Sequence, residues 1–372
     1  MNLAELAPSY IRDIAPYQPG KPIAELAREL GLNEADIIKL ASNENPLGVS
    51  PKALAAMQAV LPQLALYPDG NGFDLKAAIA KKYHVTHDHI VLGNGSNDIL
   101  ELAARTFLTP GDSAVYSQHA FAVYPLAVKA VGALGIEVAA RDFGHDVDAM
   151  LNAIRANTKL MFIANPNNPT GTFIDAGVLF AALKKVPANV LVVLDEAYSE
   201  YLPKPLRADT AAWSKEVPNL IISRTFSKAY GLAGLRVGYG IAHPDVVALM
   251  NRVRQPFNVN TLAQVAATAA LNDTDFIESS YSVNQQGMAQ LLAGFAALKL
   301  AHIPSYGNFV CVKIGATDSA NGGANAVFQK LLKAGVIVRP VASYGMPEYL
   351  RISIGTTIEN GKFLATLKDA LQ

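Results

Sequence analysis

Between Tyr67 and about Ala242 the chain alternates short apolar runs with longer amphipathic stretches, and that alternation leaves few folds open. Residues 90–92, 113–116, 159–163, 190–194, 220–223 and 237–241 read as buried strands, with helical stretches such as 98–107 and 175–185 between several of them. Strands separated by helices pair in parallel through crossover connections and are covered on both faces. The expected fold class is therefore α/β, with a mainly parallel central sheet covered by helices. In such sheets ligands bind beyond the carboxyl ends of the strands.

The pattern changes after residue 242. Residues 246–254 and 275–298 read as long helices. Strand-like 309–314, 336–339 and 350–354 then alternate with helical 324–333 and 359–371. This predicts a smaller α+β domain joined by the N-terminal segment. The expected division is 46–260 for the large domain, with 1–45 and 261–372 forming the small one from both termini. A length of 372 residues suits two domains.

With 51% hydrophobic and 17% charged residues, the composition excludes a disordered or solvating chain. Lys plus Arg and Asp plus Glu are 31 each, and no basic arm is visible, so no nucleic-acid partner is expected. The single cysteine, Cys311, lies in the apolar run Asn308-Phe309-Val310-Cys311-Val312 and reads as core packing. No metal site is expected. Residues 1–20 carry acids and prolines but no apolar signal core, and no apolar run reaches about 18 residues. A soluble, cytoplasmic chain without membrane contact is the expectation.

Four motifs follow strands. Leu92-Gly93-Asn94-Gly95-Ser96-Asn97-Asp98 precedes a helix, where glycines admit close backbone approach and free amides attract an anion. Asp98 stands where a dinucleotide fingerprint would need a third glycine. Asn165-Pro166-Asn167-Asn168-Pro169-Thr170-Gly171 forces turn geometry that can aim an asparagine at a ligand oxygen. Val192-Val193-Leu194-Asp195-Glu196-Ala197-Tyr198 ends a buried strand on a carboxylate, which is costly unless it meets a cation. In Thr225-Phe226-Ser227-Lys228 and the arginine that follows at Arg236, a desolvated lysine suits imine chemistry with a carbonyl, while the hydroxyls and Arg236 suit a phosphate. Carbonyl and phosphate describe pyridoxal 5'-phosphate (PLP), whose protonated ring nitrogen would supply the cation for Asp195.

The order of these motifs resembles the fold-type I, aspartate-aminotransferase-like PLP enzymes. Within them the chain is most similar to the histidinol-phosphate aminotransferase family. The likeness runs from Ala15-Pro16-Tyr17-Gln18, through Leu40-Ala41-Ser42-Asn43-Glu44-Asn45-Pro46 and Leu66-Tyr67-Pro68-Asp69-Gly70, to Leu350-Arg351-Ile352-Ser353. It implies that Lys228 anchors the cofactor as an internal aldimine and shuttles the proton, and that Asp195 pairs with the ring nitrogen. It implies that Asn168 and Tyr198 bind the ring hydroxyl and that Phe121 stacks on the ring. Ser96, Asn97, Thr225, Ser227 and Arg236 would hold the phosphate, and Tyr67 would reach across a homodimer to the partner's phosphate. Tyr17, Asn43, Arg339 and Arg351 would bind substrate. His119 is expected to take a packing or loop role rather than act as a base.

The resemblance implies amino transfer between histidinol phosphate and 2-oxoglutarate, in a ping-pong cycle within histidine biosynthesis. Guanidinium forks suit both phosphate and carboxylate, so one arginine pair could receive both substrates in turn. An aromatic-amino-acid aminotransferase and a threonine-phosphate decarboxylase-like enzyme are the alternatives on the same scaffold. A DNA-binding regulator is disfavoured, because no helix-turn-helix or basic cluster precedes the cofactor motifs.

Overall fold

The computed structural model describes residues 2–318 and 322–372. Its first strand, β1 (Ile38–Lys39), pairs in parallel with the short β10 (Val336–Ile337). Seven strands form the central sheet: β2 (Ile90–Gly93), β3 (Ser113–Ser117), β4 (Leu134–Val138), β5 (Thr158–Ala164), β6 (Leu191–Asp195), β7 (Leu220–Thr225) and β8 (Gly238–Ile241). Their order is β2-β8-β7-β6-β5-β3-β4, and within it β8 runs against both neighbours. A three-stranded antiparallel sheet, β11-β12-β9, is built from β9 (Phe309–Lys313), β11 (Arg339–Pro340) and β12 (Tyr349–Ser353).

Successive residues of a strand point to opposite faces, and the central sheet buries both. Leu92, Ile163, Leu194 and Ile222 join the core on one face. Val91, Phe162, Val193 and Ile221 join the core on the other. Near-continuous apolar runs result, which is why these strands were readable. β4 was not foreseen. It is an edge strand, largely exposed, and Gly135 and Glu137 interrupt its apolar pattern.

Two further differences from the sequence reading matter. The run expected as one strand over 336–339 is divided between two sheets, because β1 from the N-terminal segment takes Val336 and Ile337 while Arg339 pairs into the β11–β12 ladder. The helix Thr261–Leu271, grouped by sequence with the small domain, buries Ala263, Ala266, Ala267 and Ala270 in the central-sheet core. From the N-terminal segment, Leu26, Ala27, Ile37 and Ala41 pack with Leu332 and Ile337. Among the described residues, no helix is long and apolar enough to cross a membrane.

Candidate active site

The carboxyl ends of β2, β5, β6 and β7 meet at one cavity, which the small sheet and the N-terminal segment close from the other side. The helix Ser96–Phe107 starts at its rim, earlier than expected. Gly95 is the N-cap and makes no side-chain cap, and Asp98 lies inside the first turn, accepting from the Asn94 amide at 2.9 Å. Gly95 has φ of 87°, and a Cβ there would lie 2.6 Å from Nη2 of Arg236. Only glycine lets that guanidinium rest against the helix start. Arg236 Nη1 donates to Ser227 Oγ at 3.4 Å, and Thr225 Oγ1 accepts from the Ser227 amide at 3.1 Å. Helix-start amides, a guanidinium and two buried hydroxyls thus converge on one spot, a cradle for a phosphate-like anion.

Across the cavity, Asp195 ends β6 with 6% exposure. Its Oδ2 accepts from the Tyr124 hydroxyl at 2.9 Å and its Oδ1 from the Ala197 amide at 3.3 Å. Burial pushes its pKa up to about 6, against the opposing pull of the Tyr124 hydrogen bond. Among the described residues it has no ion-pair partner within 4 Å. Phe121 also faces the cavity and stands edge-on to Tyr124, with ring centroids 6.0 Å apart.

Lys228 lies in the loop after β7 and donates from Nζ to the Ser42 carbonyl at 3.1 Å. Burial, and then the nearby Arg351 charge, lower its pKa to about 8. Its Nζ is 5.8 Å from the centre of the Tyr198 ring. Tyr198 accepts at its hydroxyl from Asn43 Nδ2 at 3.0 Å, and burial raises its pKa to about 12. Asn43 adopts φ of 55° and is held by Ser353 of β12, whose Oγ accepts from the Asn43 amide at 2.8 Å.

Two arginines reach the cavity from the small sheet. Arg351, 6% exposed, donates from Nη1 to Asn168 Oδ1 at 2.5 Å and from Nη2 to the Ala41 carbonyl at 2.7 Å. Its Nε is buried with no hydrogen-bond partner among the described residues. Arg339 donates from Nη2 to the Gln18 carbonyl at 2.7 Å, and its guanidinium carbon lies 5.6 Å from the Tyr17 ring centre. Five donors per guanidinium leave several N–H groups for an incoming anion.

Of the residues that the resemblance assigns to cofactor or substrate, all but Tyr67 line this cavity. Tyr67 is 83% exposed and stacks on Phe257 at 4.7 Å. His119 lies in the loop after β3 and pairs through Nδ1 with the Tyr344 carbonyl at 2.5 Å. Cys311 is fully buried and donates from Sγ to the Pro169 carbonyl at 3.0 Å. Sequence reasoning missed Tyr124 and Tyr344, which also line the cavity. Tyr124 follows Phe121 by three residues, and its amide donates to the Phe121 carbonyl at 3.0 Å in the turn that leads into the helix Val123–Ala130.

These groups fit PLP. The anion cradle suits its phosphate, and the depressed-pKa lysine suits its aldehyde. The buried, ion-pair-free Asp195 carboxylate suits a protonated ring nitrogen, which would relieve the burial cost.

Comparison with known proteins gives the same picture. Residues 35–367 match the family described as Aminotransferase class I and II. The chain is 62% identical over 371 residues to histidinol-phosphate aminotransferase of Methylobacillus flagellatus, covering 100% of this chain and 99% of the relative. It is 59% identical over 372 residues to histidinol-phosphate aminotransferase 2 of Nitrosospira multiformis, covering 100% and 93%. The crystal structure of histidinol-phosphate aminotransferase from Sinorhizobium meliloti in complex with pyridoxal-5'-phosphate superposes with a TM-score of 0.89 at 28% identity, over 98% of this chain and 96% of that one. Aspartate aminotransferase from Thermus thermophilus with maleate shares the fold, with a TM-score of 0.80 at 23% identity over 98% and 97%.

Proposed function

The chain belongs to the aminotransferase class I and II family, and we propose that it transfers an amino group between histidinol phosphate and 2-oxoglutarate as a PLP-dependent step of histidine biosynthesis in the cytoplasm. The observation that carries the substrate reading is the presence of two arginines, Arg339 and Arg351, on adjacent strands at the cavity wall. A phosphate-bearing amine and a dicarboxylic acid both need an anion site apart from the cofactor's own. These two guanidiniums supply one for each in turn.

PLP, when bound, supplies an aldehyde for the amino group and a ring that draws electrons from the substrate's α-carbon. The rest is the work of this chain. The helix start at Ser96 and Asn97, with Arg236, Ser227 and Thr225, grips the phosphate. Asp195 lines the same cavity, and its charge would favour a protonated ring nitrogen. Phe121 would support one ring face, while Asn168 and Tyr198 would offer polar atoms to the ring hydroxyl. Lys228, with a pKa near 8, has a substantial neutral fraction near physiological pH, so its amine can attack a carbonyl and afterwards move the α-carbon proton. Asn43 steadies Tyr198, tying the position of the small sheet to the site through Ser353. Tyr17 lies over Arg339 at the cavity mouth and orients it.

The proposed assembly is a homodimer with shared sites. Leu64, Leu66, Tyr67 and Phe73 are exposed, and Phe257 stacks on Tyr67, an apolar surface of the kind a subunit interface covers. Tyr67 would then serve the partner's phosphate site.

The deciding experiment compares kcat/KM for histidinol phosphate, phenylalanine and threonine phosphate, with the products identified. Histidinol phosphate should lead by about tenfold or more, with amino transfer to 2-oxoglutarate. A lead for phenylalanine would replace the proposal with an aromatic aminotransferase, and loss of carbon dioxide from threonine phosphate would replace it with a decarboxylase.

A further inference from the structure

Tyr124 is fully buried and yet opens its hydroxyl to the site. Its O–H donates to Asp195 Oδ2 at 2.9 Å. Its ring stacks on Phe162 of β5, with centroids 5.0 Å apart and planes 10° from parallel, so it cannot tilt without breaking the core of that sheet face. It also meets Phe121 at 6.0 Å with the rings 87° apart. The same side chain therefore touches the carboxylate expected to face the ring nitrogen and the aromatic expected to cover the ring.

We propose that Tyr124 is a positioning residue for the cofactor: its hydroxyl fixes the rotation of the Asp195 carboxylate while its ring sets the plane of Phe121. This inference rests on the PLP reading above. Among the described residues, the other donor to the Asp195 carboxylate is the Ala197 amide, at a longer 3.3 Å. A carboxylate gripped from both sides keeps about two acceptor positions for the ring N–H, in a constant orientation. Loss of the hydroxyl would leave it held by the weaker contact and free to turn about Cβ–Cγ. The hydroxyl stays a donor across the working range, since burial and the Asp195 charge push its own ionisation far up. The other charged groups acting on Asp195 are Glu196, whose charge disfavours ionisation, and Lys228, whose charge favours it. Glu196 is already engaged by Arg224 at 2.7 Å, which leaves Tyr124 as the side-chain hydrogen bond to Asp195.

Tyr124→Phe keeps the ring and its stack on Phe162 and removes only the donor, so the fold is expected to survive. In the cofactor-free chain, infrared difference spectra against Asp195→Asn identify the Asp195 carboxyl. Its midpoint should rise by about one pH unit in Tyr124→Phe, the loss expected for one hydrogen bond to a charged group. In holoenzyme carrying 15N-labelled PLP, the ring-nitrogen signal should begin to titrate between about pH 6 and 9, where the parent protein keeps it protonated. The rate constant kcat should fall about tenfold, with KM for glutamate held within about twofold. An unchanged carboxyl midpoint together with an unchanged ring-nitrogen signal would overturn the proposal, whatever happened to the rate. Failure of the parent chain to take up PLP would instead sink the functional reading, and the carboxyl titration alone would then decide whether Tyr124 holds Asp195.

Discussion

Arg339 and Arg351 stand opposite one another, Cα to Cα, across the antiparallel β11–β12 ladder. Directly opposed side chains share a face with Cβ atoms about 5 Å apart, and like charges so placed are destabilising. Each guanidinium leans on neutral acceptors instead, Arg339 on the Gln18 carbonyl and Arg351 on Asn168 and Ala41. An anion arriving between them would relieve the repulsion.

Arg339→Ala should therefore separate the substrates. A charge-assisted contact of about 1.5–3 kcal/mol corresponds to a loss of roughly 10- to 150-fold in kcat/KM for histidinol phosphate. Phenylalanine should lose less, and Arg351→Ala should impair every substrate, including glutamate. Steady-state kinetics with the three donors checks this; equal small losses in Arg339→Ala would make Arg339 structural and favour an aromatic substrate.

Lys228→Ala should abolish turnover yet leave a folded protein that binds PLP without a covalent link. The phosphate cradle and the Asp195 carboxylate offer the cofactor contacts that do not pass through the lysine, so occupancy should persist. Borohydride reduction followed by mass spectrometry should find no adduct in the variant; an adduct with activity would identify another lysine as the anchor.

Uptake of PLP by the cofactor-free protein should depend on pH with a midpoint near 8, because burial depresses the Lys228 pKa to about 8 from 10.5. Only the neutral amine attacks a carbonyl, so below the midpoint the rate should fall about tenfold per pH unit, and above it the rate should level off. Stopped-flow absorbance measures it. A rate still climbing beyond pH 9.5 would show an unperturbed lysine.

Asp195→Asn should divide stability from catalysis. The folded-state pKa of about 6 exceeds the ordinary 3.8, so the folded chain holds this proton more tightly than the unfolded one. In the cofactor-free protein this stabilising contribution is present below pH 3.8 and lost as pH rises through about 6. The full loss is on the order of 3 kcal/mol. The amide never ionises, so the variant's Tm at pH 8 should exceed the parent's, while turnover drops sharply for want of the charge facing the ring nitrogen. Calorimetry at pH 5 and pH 8 reads the first effect and single-turnover kinetics the second.

Tyr67→Phe should weaken PLP retention if the hydroxyl serves a partner's site, since within one chain Tyr67 lies outside the cavity. Mixing impaired Tyr67→Phe subunits with inactive Lys228→Ala subunits should restore activity through heterodimers with one intact site. Absence of any recovery, with subunit exchange demonstrated by light scattering or mass spectrometry, would place Tyr67 outside catalysis.

Much of this site was legible in the chain because its parts are local. Asp195 closes a buried apolar strand, Lys228 follows the next, and Gly95 turns the chain into a helix. Each is a short stretch whose residue types suit both the local backbone and the chemistry. The N-terminal strand β1 and edge strand β4 were not legible. One is two residues long and pairs with Val336 and Ile337, and the other is mostly exposed.

The sequence alone therefore determined the alternating α/β framework, the places where the sheet would present chemistry, and the residue types that favour a phosphate and a carbonyl. Tertiary structure decided how those pieces act on one another. It set Tyr124 against Asp195, 71 residues apart, and Asn43 against Ser353, 310 apart. It also divided residues 336–340 between two sheets, so that Arg339 faces Arg351. Periodicity records which face of an element is buried, but it carries no information about which distant element will cover that face. That choice is made by packing, and packing sets the hydrogen bonds and pKa values on which the chemistry depends.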